Sequence, residues 1–109
     1  DGYRLASMTV IDRGQRATTR LEFQANWELA ALDEQTVEAD LGMTADELHG
    51  ILAMTPGIDP ARVWLLRDHL DQAVRLRGLT PEPWVTMTEA RRADAQRWFG
   101  LDEAPRPSI

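Results

Sequence analysis

Residues 33–54 have the pattern of two short helices separated by a tight turn, and no other feature constrains the fold of this chain as strongly. In the first helix, Asp33 is a favourable N-cap residue, and Val37 and Leu41 repeat at the spacing of one buried face. Gly42 is expected to end this helix, because glycine adopts the left-handed conformation of a C-terminal cap without strain.

The second short helix is predicted to begin at Ala45 and to end at Ala53 or Met54. It opens on the capping box Thr44-x-x-Glu47, in which each side chain bonds a backbone N–H at the start of the helix. Its buried residues are expected at i, i+3 and i+4 spacing, namely Leu48, Ile51 and Leu52. Such a pair buries its apolar faces against further helices, so it predicts an all-α domain of four to five helices.

A first long helix is predicted to precede this pair, from about Ile11 to Leu29. Its broad apolar side consists of Leu21, Phe23, Ala25, Trp27 and Ala30. Three arginines repeat at three- and four-residue spacing on what is expected to be its exposed side, namely Arg13, Arg16 and Arg20.

A fourth helix is predicted to follow the pair and to form the spine of the core. Asp59 is its N-cap residue, and Gly78 is expected to end it. Its core stripe consists of Val63, Leu66, Leu70, Ala73 and Val74. Arg67, Asp71 and Arg75 follow one another at i, i+4 spacing and are expected on the solvent side.

Beyond the fourth helix the sequence predicts an extension of the core. Pro81 and Pro83 preclude a helix, so this stretch is expected to be an extended connector. The capping box Thr86-x-x-Glu89 predicts a fifth helix that ends near Phe99, before a loosely ordered tail.

The length of 109 residues is sufficient for one domain with a single core. We place the core domain at residues 8–78, because Met8 is a candidate start of the native chain. Residues 79–109 then hold the connector, the short helix and the tail, packed on the same domain.

The charge of the chain is concentrated in its middle. The net charge is −6, and residues 31–60 contain seven acidic residues and no basic residue. All twelve basic residues are arginines, so each cation is a planar group suited to bidentate pairing. The predicted helix pair is therefore strongly acidic.

The helix pair resembles the helix-turn-helix of phage-repressor-like (Xre-type) proteins. The positions that carry this resemblance are Leu32, Val37, Leu41, Gly42, Thr44, Leu48 and Ile51. The helix over 59–77 is similar to the one that closes the core of those proteins. With the Thr80–Trp84 extension, the chain from Met8 resembles a small bacterial family of unknown function built on this motif. The resemblance implies a DNA-binding module of the transcriptional-regulator type.

If the resemblance extends to function, the third helix enters the major groove of DNA. The candidate DNA contacts are Thr44, Ala45, Asp46, His49 and Gly50, with Arg13, Arg16 and Arg20. Arg62 and Arg67 are further candidates for a basic surface. Local acidity disfavours DNA as a partner, because carboxylates stand at both helix N-termini, where phosphates dock.

The alternative is that the acidic helix-turn-helix contacts a protein partner instead of DNA. Trp84 and Trp98 either clamp the extension onto the core, which is the default interpretation, or form with Phe99 an interaction surface that joins two copies in a homodimer. A small-molecule pocket lined by methionine and tryptophan is a third alternative.

We predict no catalytic, metal or cofactor site. The chain has no cysteine, and its serines, Ser7 and Ser108, fall in predicted tails. His49 and His69 fall on different helices, so the sequence gives no converging ligand set. No apolar run has the length of a membrane span, and we expect a cytoplasmic protein without a membrane partner.

Overall fold

The computed structural model describes residues 13–108, which form five helices and no strand. In chain order these are α1 (Arg13–Ala30), α2 (Glu34–Leu41), α3 (Ala45–Leu52), α4 (Pro60–Leu76) and α5 (Glu89–Phe99). The all-α class predicted from the sequence is confirmed. The predicted helix start at Ile11 and the candidate chain start at Met8 lie outside the described residues. Within residues 13–108, no helix is both long and apolar enough to cross a membrane.

The helix α4 is the spine of the core, as predicted. Leu66 and Leu70 are fully buried, and α4 packs chiefly against α1. Arg67 is buried as well, which corrects its assignment to the solvent side. The solvent-exposed side predicted for α4 does not include Arg67, because the C-terminal extension packs against it.

The buried face of α1 is partly polar, which the sequence pattern did not predict. Phe23 is fully buried, whereas Leu21 is 61% exposed and does not belong to the core. The same buried face carries Thr19 and Asn26, which hold the connector. The Asn26 side chain accepts a hydrogen bond from the backbone N–H of Glu82 (2.9 Å) and donates one to its carbonyl (3.2 Å).

The fifth helix begins two residues later than the capping box at Thr86 predicts. Thr88 is the N-cap residue, and its hydroxyl accepts a hydrogen bond from the backbone N–H of Arg91 (3.3 Å). Thr86 is instead buried, and its hydroxyl is hydrogen-bonded to that of Thr19. A tertiary contact with α1 therefore takes Thr86 away from the helix end.

The C-terminal tail, for which the sequence predicts loose order, is hydrogen-bonded to two helices. The backbone N–H and the hydroxyl of Ser108 both donate to the carboxylate of Asp40 on α2, at 2.9 and 2.7 Å. The buried His69 on α4 donates from Nδ1 to the carbonyl oxygen of Pro105 (3.1 Å). We call these two contacts the tail anchor.

Candidate functional site

Residues 33–53, which we call the α2–α3 unit, form two helices whose ends are capped. Asp33 accepts a hydrogen bond from the backbone N–H of Thr36 (3.2 Å), and Thr44 accepts one from that of Glu47 (3.1 Å). Gly42 ends α2 with φ +63°, the left-handed conformation that favours glycine. These residues occupy the cap positions that the sequence predicts, so the orientation of α3 is set by local backbone geometry.

The outward side of α3 carries the first group of predicted contacts. Thr44, Ala45, Asp46 and His49 are exposed, whereas Gly50 is half-buried. A Cβ atom on Gly50 would lie 3.1 Å from the Cδ1 atom of Ile58, so the backbone of α3 approaches the following loop closely there. Position 50 therefore faces the α3–α4 loop rather than open solvent.

His49 is the one candidate on α3 that can become a cation, and it already has an acidic partner. Its Nε2 atom lies 2.9 Å from a carboxylate oxygen of Glu34 at the start of α2. The hydrogen bond to Glu34 raises the pKa of His49, and the charges of Glu38 and Asp46 act in the same direction. The exposed face of the α2–α3 unit therefore combines one histidine with three neighbouring carboxylates.

Arg62, at the start of α4, is hydrogen-bonded to the α2–α3 unit. Its Nε and Nη2 atoms donate to the two carboxylate oxygens of Glu47, each at 3.0 Å. Nη2 also donates to the carbonyl oxygen of Gly42 at 3.0 Å. This bidentate pair lowers the pKa of Glu47. Arg62 thus joins the turn and α3 to α4 through its Nε and Nη2 donors.

Arg67 is not part of a basic surface, in contrast to the prediction. Its guanidinium lies between two indole rings, 5.4 Å from the ring centroid of Trp64 and 5.3 Å from that of Trp84. It donates to Asp68 at 2.9 Å and to Glu89 at 3.4 Å. The cation is stabilised by the two aromatic faces and the carboxylates, so it joins α4 to the extension.

The three candidate arginines of α1 differ in their exposure and surroundings. Arg13 and Arg20 are exposed, and Arg16 is half-buried. Arg16 lines a groove together with Ile51, which is near the C-terminal end of α3. The structure therefore brings one of these arginines close to α3, at the end opposite to the exposed Asp46.

Trp84 belongs to the core, which agrees with the first of the two roles considered for it, a clamp, and not with the second, an exposed interaction surface. It is 8% exposed, and its ring lies edge-on to that of Phe23 with the centroids 5.2 Å apart. Its indole N–H donates to Asp71 at 3.2 Å. Trp84 therefore clamps the connector to α1 and α4, while Trp98 and Phe99 remain 63% and 37% exposed.

A groove of about 480 Å³ lies between the α3–α4 loop, α4, the connector and α5. Its apolar lining consists chiefly of Ile51, Met54, Trp64, Met87, Trp98 and Phe99. A pocket lined by methionine and tryptophan is one of the alternatives that the sequence leaves open, and its location could not be predicted. The missing information was tertiary, because the lining residues come from parts of the chain that are far apart in the sequence.

The fold thus defines a small all-α protein. It has an acidic face on two helices and an aromatic groove. The chain matches the model of a family described as an uncharacterized protein conserved in bacteria (DUF2316) over residues 8–101, and it belongs to that family. No curated protein and no solved structure matches it. The family match ends before the tail anchor.

Proposed function

We propose that this protein is a binding module whose α2–α3 unit contacts a basic surface on a protein partner. The observation that carries the proposal is that Arg62 and Arg67, the two candidate cations on α4, are engaged within the fold. Arg62 is bound to Glu47, and Arg67 is buried between two indoles. What remains exposed on the unit is acidic, which suits a cationic partner and repels phosphate.

Binding rather than catalysis is the better account of the polar groups that the fold brings together. Arg62 and Glu47 form a bidentate pair, and Arg92 bonds both Asp68 and Glu89. The pairing with Asp68 and Glu89 raises the pKa of Arg92 far above its ordinary range. Pairs of this kind hold helices together, because each charge is neutralised by its partner.

The competing function is DNA binding of the repressor type. It is supported by the resemblance of the capped helix pair and by Arg13 and Arg20, which are exposed on α1. A DNA duplex that received α3 in its major groove, as in repressors, would lie against the carboxylates of the α2–α3 unit. Salt screens such repulsion poorly at contact distance, since the Debye length is about 8 Å at physiological ionic strength.

The double variant Glu38→Gln/Asp46→Asn distinguishes the two functions. Neither side chain has a bonding partner in the described part of the chain, so the variant removes two charges and leaves the Arg62–Glu47 pair intact. We expect weaker binding of an arginine-rich 20-residue peptide, measured by fluorescence anisotropy at two salt concentrations. If DNA is the partner, the same variant instead strengthens binding to a random 20-base-pair duplex.

The matched control is Glu28→Gln/Glu82→Gln, which changes the net charge equally on the exposed side of α1 and the connector. We expect this control to bind the peptide like the unmodified protein, apart from a small general charge effect. Equal losses in the two double variants would contradict a localised site. Tight binding of the unmodified protein to random duplex, with a steep salt dependence, would establish the DNA alternative.

A further inference from the structure

The fifth helix turns its aromatic face toward the groove rather than into the core. The residues of α5 that line the groove follow the spacing of one helical face, namely Arg91, Asp94, Ala95, Trp98 and Phe99. Ala95 is the buried residue of this helix, and Trp98 is 63% exposed. An aromatic face left open to solvent beside a cavity is typical of a binding site.

The size and composition of the groove suit a small ligand. Its volume of about 480 Å³ falls within the range of pockets that hold small molecules, about 300–1,000 Å³. The walls are indole, phenyl, thioether and branched aliphatic groups from Trp64, Trp98, Phe99, Met54 and Ile51. Such walls bind an apolar body through burial and ring contacts, with little dependence on direction.

The charged side chains of the groove indicate the polar end of the ligand. Arg91 and Arg16 line it together with one acid, Asp94. Arg91 is exposed, and its guanidinium has no ion-pair or hydrogen-bond partner within residues 13–108. An arginine that faces an apolar cavity with its donors open is suited to a carboxylate, which accepts two parallel hydrogen bonds.

We propose that this groove binds a small amphipathic carboxylate, whose apolar body lies against Trp64 and Trp98 and whose acid group is held by Arg91. This site shares no residue with the acidic face of Glu34, Glu38, Asp46 and His49 on the α2–α3 unit. The proposal therefore does not depend on whether that face binds protein or DNA.

The test uses decanoate as the probe and decan-1-ol as its neutral counterpart. Binding to the full chain is followed through the four indole N–H signals in nitrogen-resolved NMR spectra. We expect decanoate, at roughly millimolar concentration, to shift the signals of Trp64 and Trp98, which line the groove, and to leave those of Trp27 and Trp84 in place. An absence of shifts at Trp64 and Trp98 overturns the proposal.

Two arginines of α5 provide a matched pair of variants. Arg91→Gln is expected to weaken decanoate binding about tenfold, the usual effect of losing a charge-assisted hydrogen bond, and to leave decanol binding unchanged. Arg97→Gln changes the same charge on the same helix outside the groove and should bind both probes normally. Equal affinity for acid and alcohol, unaffected by Arg91→Gln, overturns the carboxylate assignment.

Trp98→Ala removes one exposed wall of the groove and should weaken binding of both probes. The same variant tests whether a second copy of the chain covers the groove. If sedimentation shows dimers that Trp98→Ala dissociates, and decanoate does not compete with dimer formation, the groove is a self-association surface and the ligand proposal is wrong.

Discussion

The α2–α3 unit and the C-terminal extension are held in place by different kinds of interaction. The helix ends of the unit depend on local contacts, in which Asp33, Gly42 and Thr44 cap helices a few residues away, and Arg62 joins the finished unit to α4. The extension depends on contacts between residues far apart in the sequence, such as Asn26 with Glu82. The end of α2 and the start of α3 are thus encoded locally, whereas the placement of residues 79–109 depends on buried polar and aromatic groups.

The largest effect is expected from Trp84→Ala, which removes the aromatic anchor of the extension. Loss of a buried aromatic side chain should lower the free energy of unfolding by about 3–5 kcal/mol, measured by chemical denaturation. Trp98→Ala is the matched control on the same extension, and at 63% exposure it should change stability by less than about 0.5 kcal/mol. Similar losses in both variants would show that the two tryptophans do not differ as the structure indicates.

A smaller effect is expected at Arg67, where packing and charge can be separated. Arg67→Ala should cost roughly 2–3 kcal/mol, because both indole faces lose their contact. Arg67→Met keeps an apolar stem of similar length and should cost less than about 1 kcal/mol. Asp68 retains Arg92 as a partner in either variant. If Met is as damaging as Ala, the charge rather than the packed stem joins α4 to the extension.

The two histidines should respond to pH in opposite directions. Burial lowers the pKa of His69 below its ordinary value of 6.5, although Pro105 and Asp40 act against the shift. The unfolded chain then binds a proton that the folded chain resists, so stability falls as the pH drops below that value. The expected result is a decline in the free energy of unfolding on acidification, which His69→Gln should reduce.

His49 provides the contrast, because Glu34 raises its pKa. Its contribution to stability is present at low pH and is lost as the pH rises through the raised value. His49→Gln should therefore leave the acid-induced loss in place, or make it steeper. An equal reduction of the acid sensitivity by His49→Gln and His69→Gln would contradict the assignment of this sensitivity to the buried ring.

The smallest effects on stability are expected from removing equivalent N-caps, one in the α2–α3 unit and one in the C-terminal extension. Thr44→Ala and Thr88→Ala each remove one hydroxyl that accepts a backbone hydrogen bond, and each should cost about 1 kcal/mol. Thermal denaturation of the two variants measures both losses on the same scale. A much larger loss at Thr88 would show that the extension relies on its cap as well as on Trp84.

The fold could be predicted wherever the deciding contact is local. The ends of α2 and the start of α3 follow from Asp33, Gly42 and Thr44, since their partners lie within one turn. The start of α5 could not be predicted, because Thr86 and Thr88 both fit a cap and a bond to distant Thr19 decides between them.

The candidate sites show the same limit. The acidic face follows from composition, because the charge of residues 31–60 is plain in the sequence. The burial of the cations does not follow from composition, since the helical spacing of Arg67 is that of a solvent-exposed residue on an amphipathic helix. Its burial arises because the extension covers α4 there, and helical periodicity carries no information about that cover. The groove was missed as a location for the same reason.

The tail anchor has a mechanical consequence. Ser108 is bonded to α2 and Pro105 to α4, so tension applied to the chain beyond Ser108 loads those two helices before it reaches α5. An unfoldase that pulls on the C-terminal end must first break the hydrogen bonds between Asp40 and Ser108. Until these bonds break, α5, which lines the groove, carries no load. The tail anchor thus keeps a force on the C-terminal end from reaching the aromatic groove.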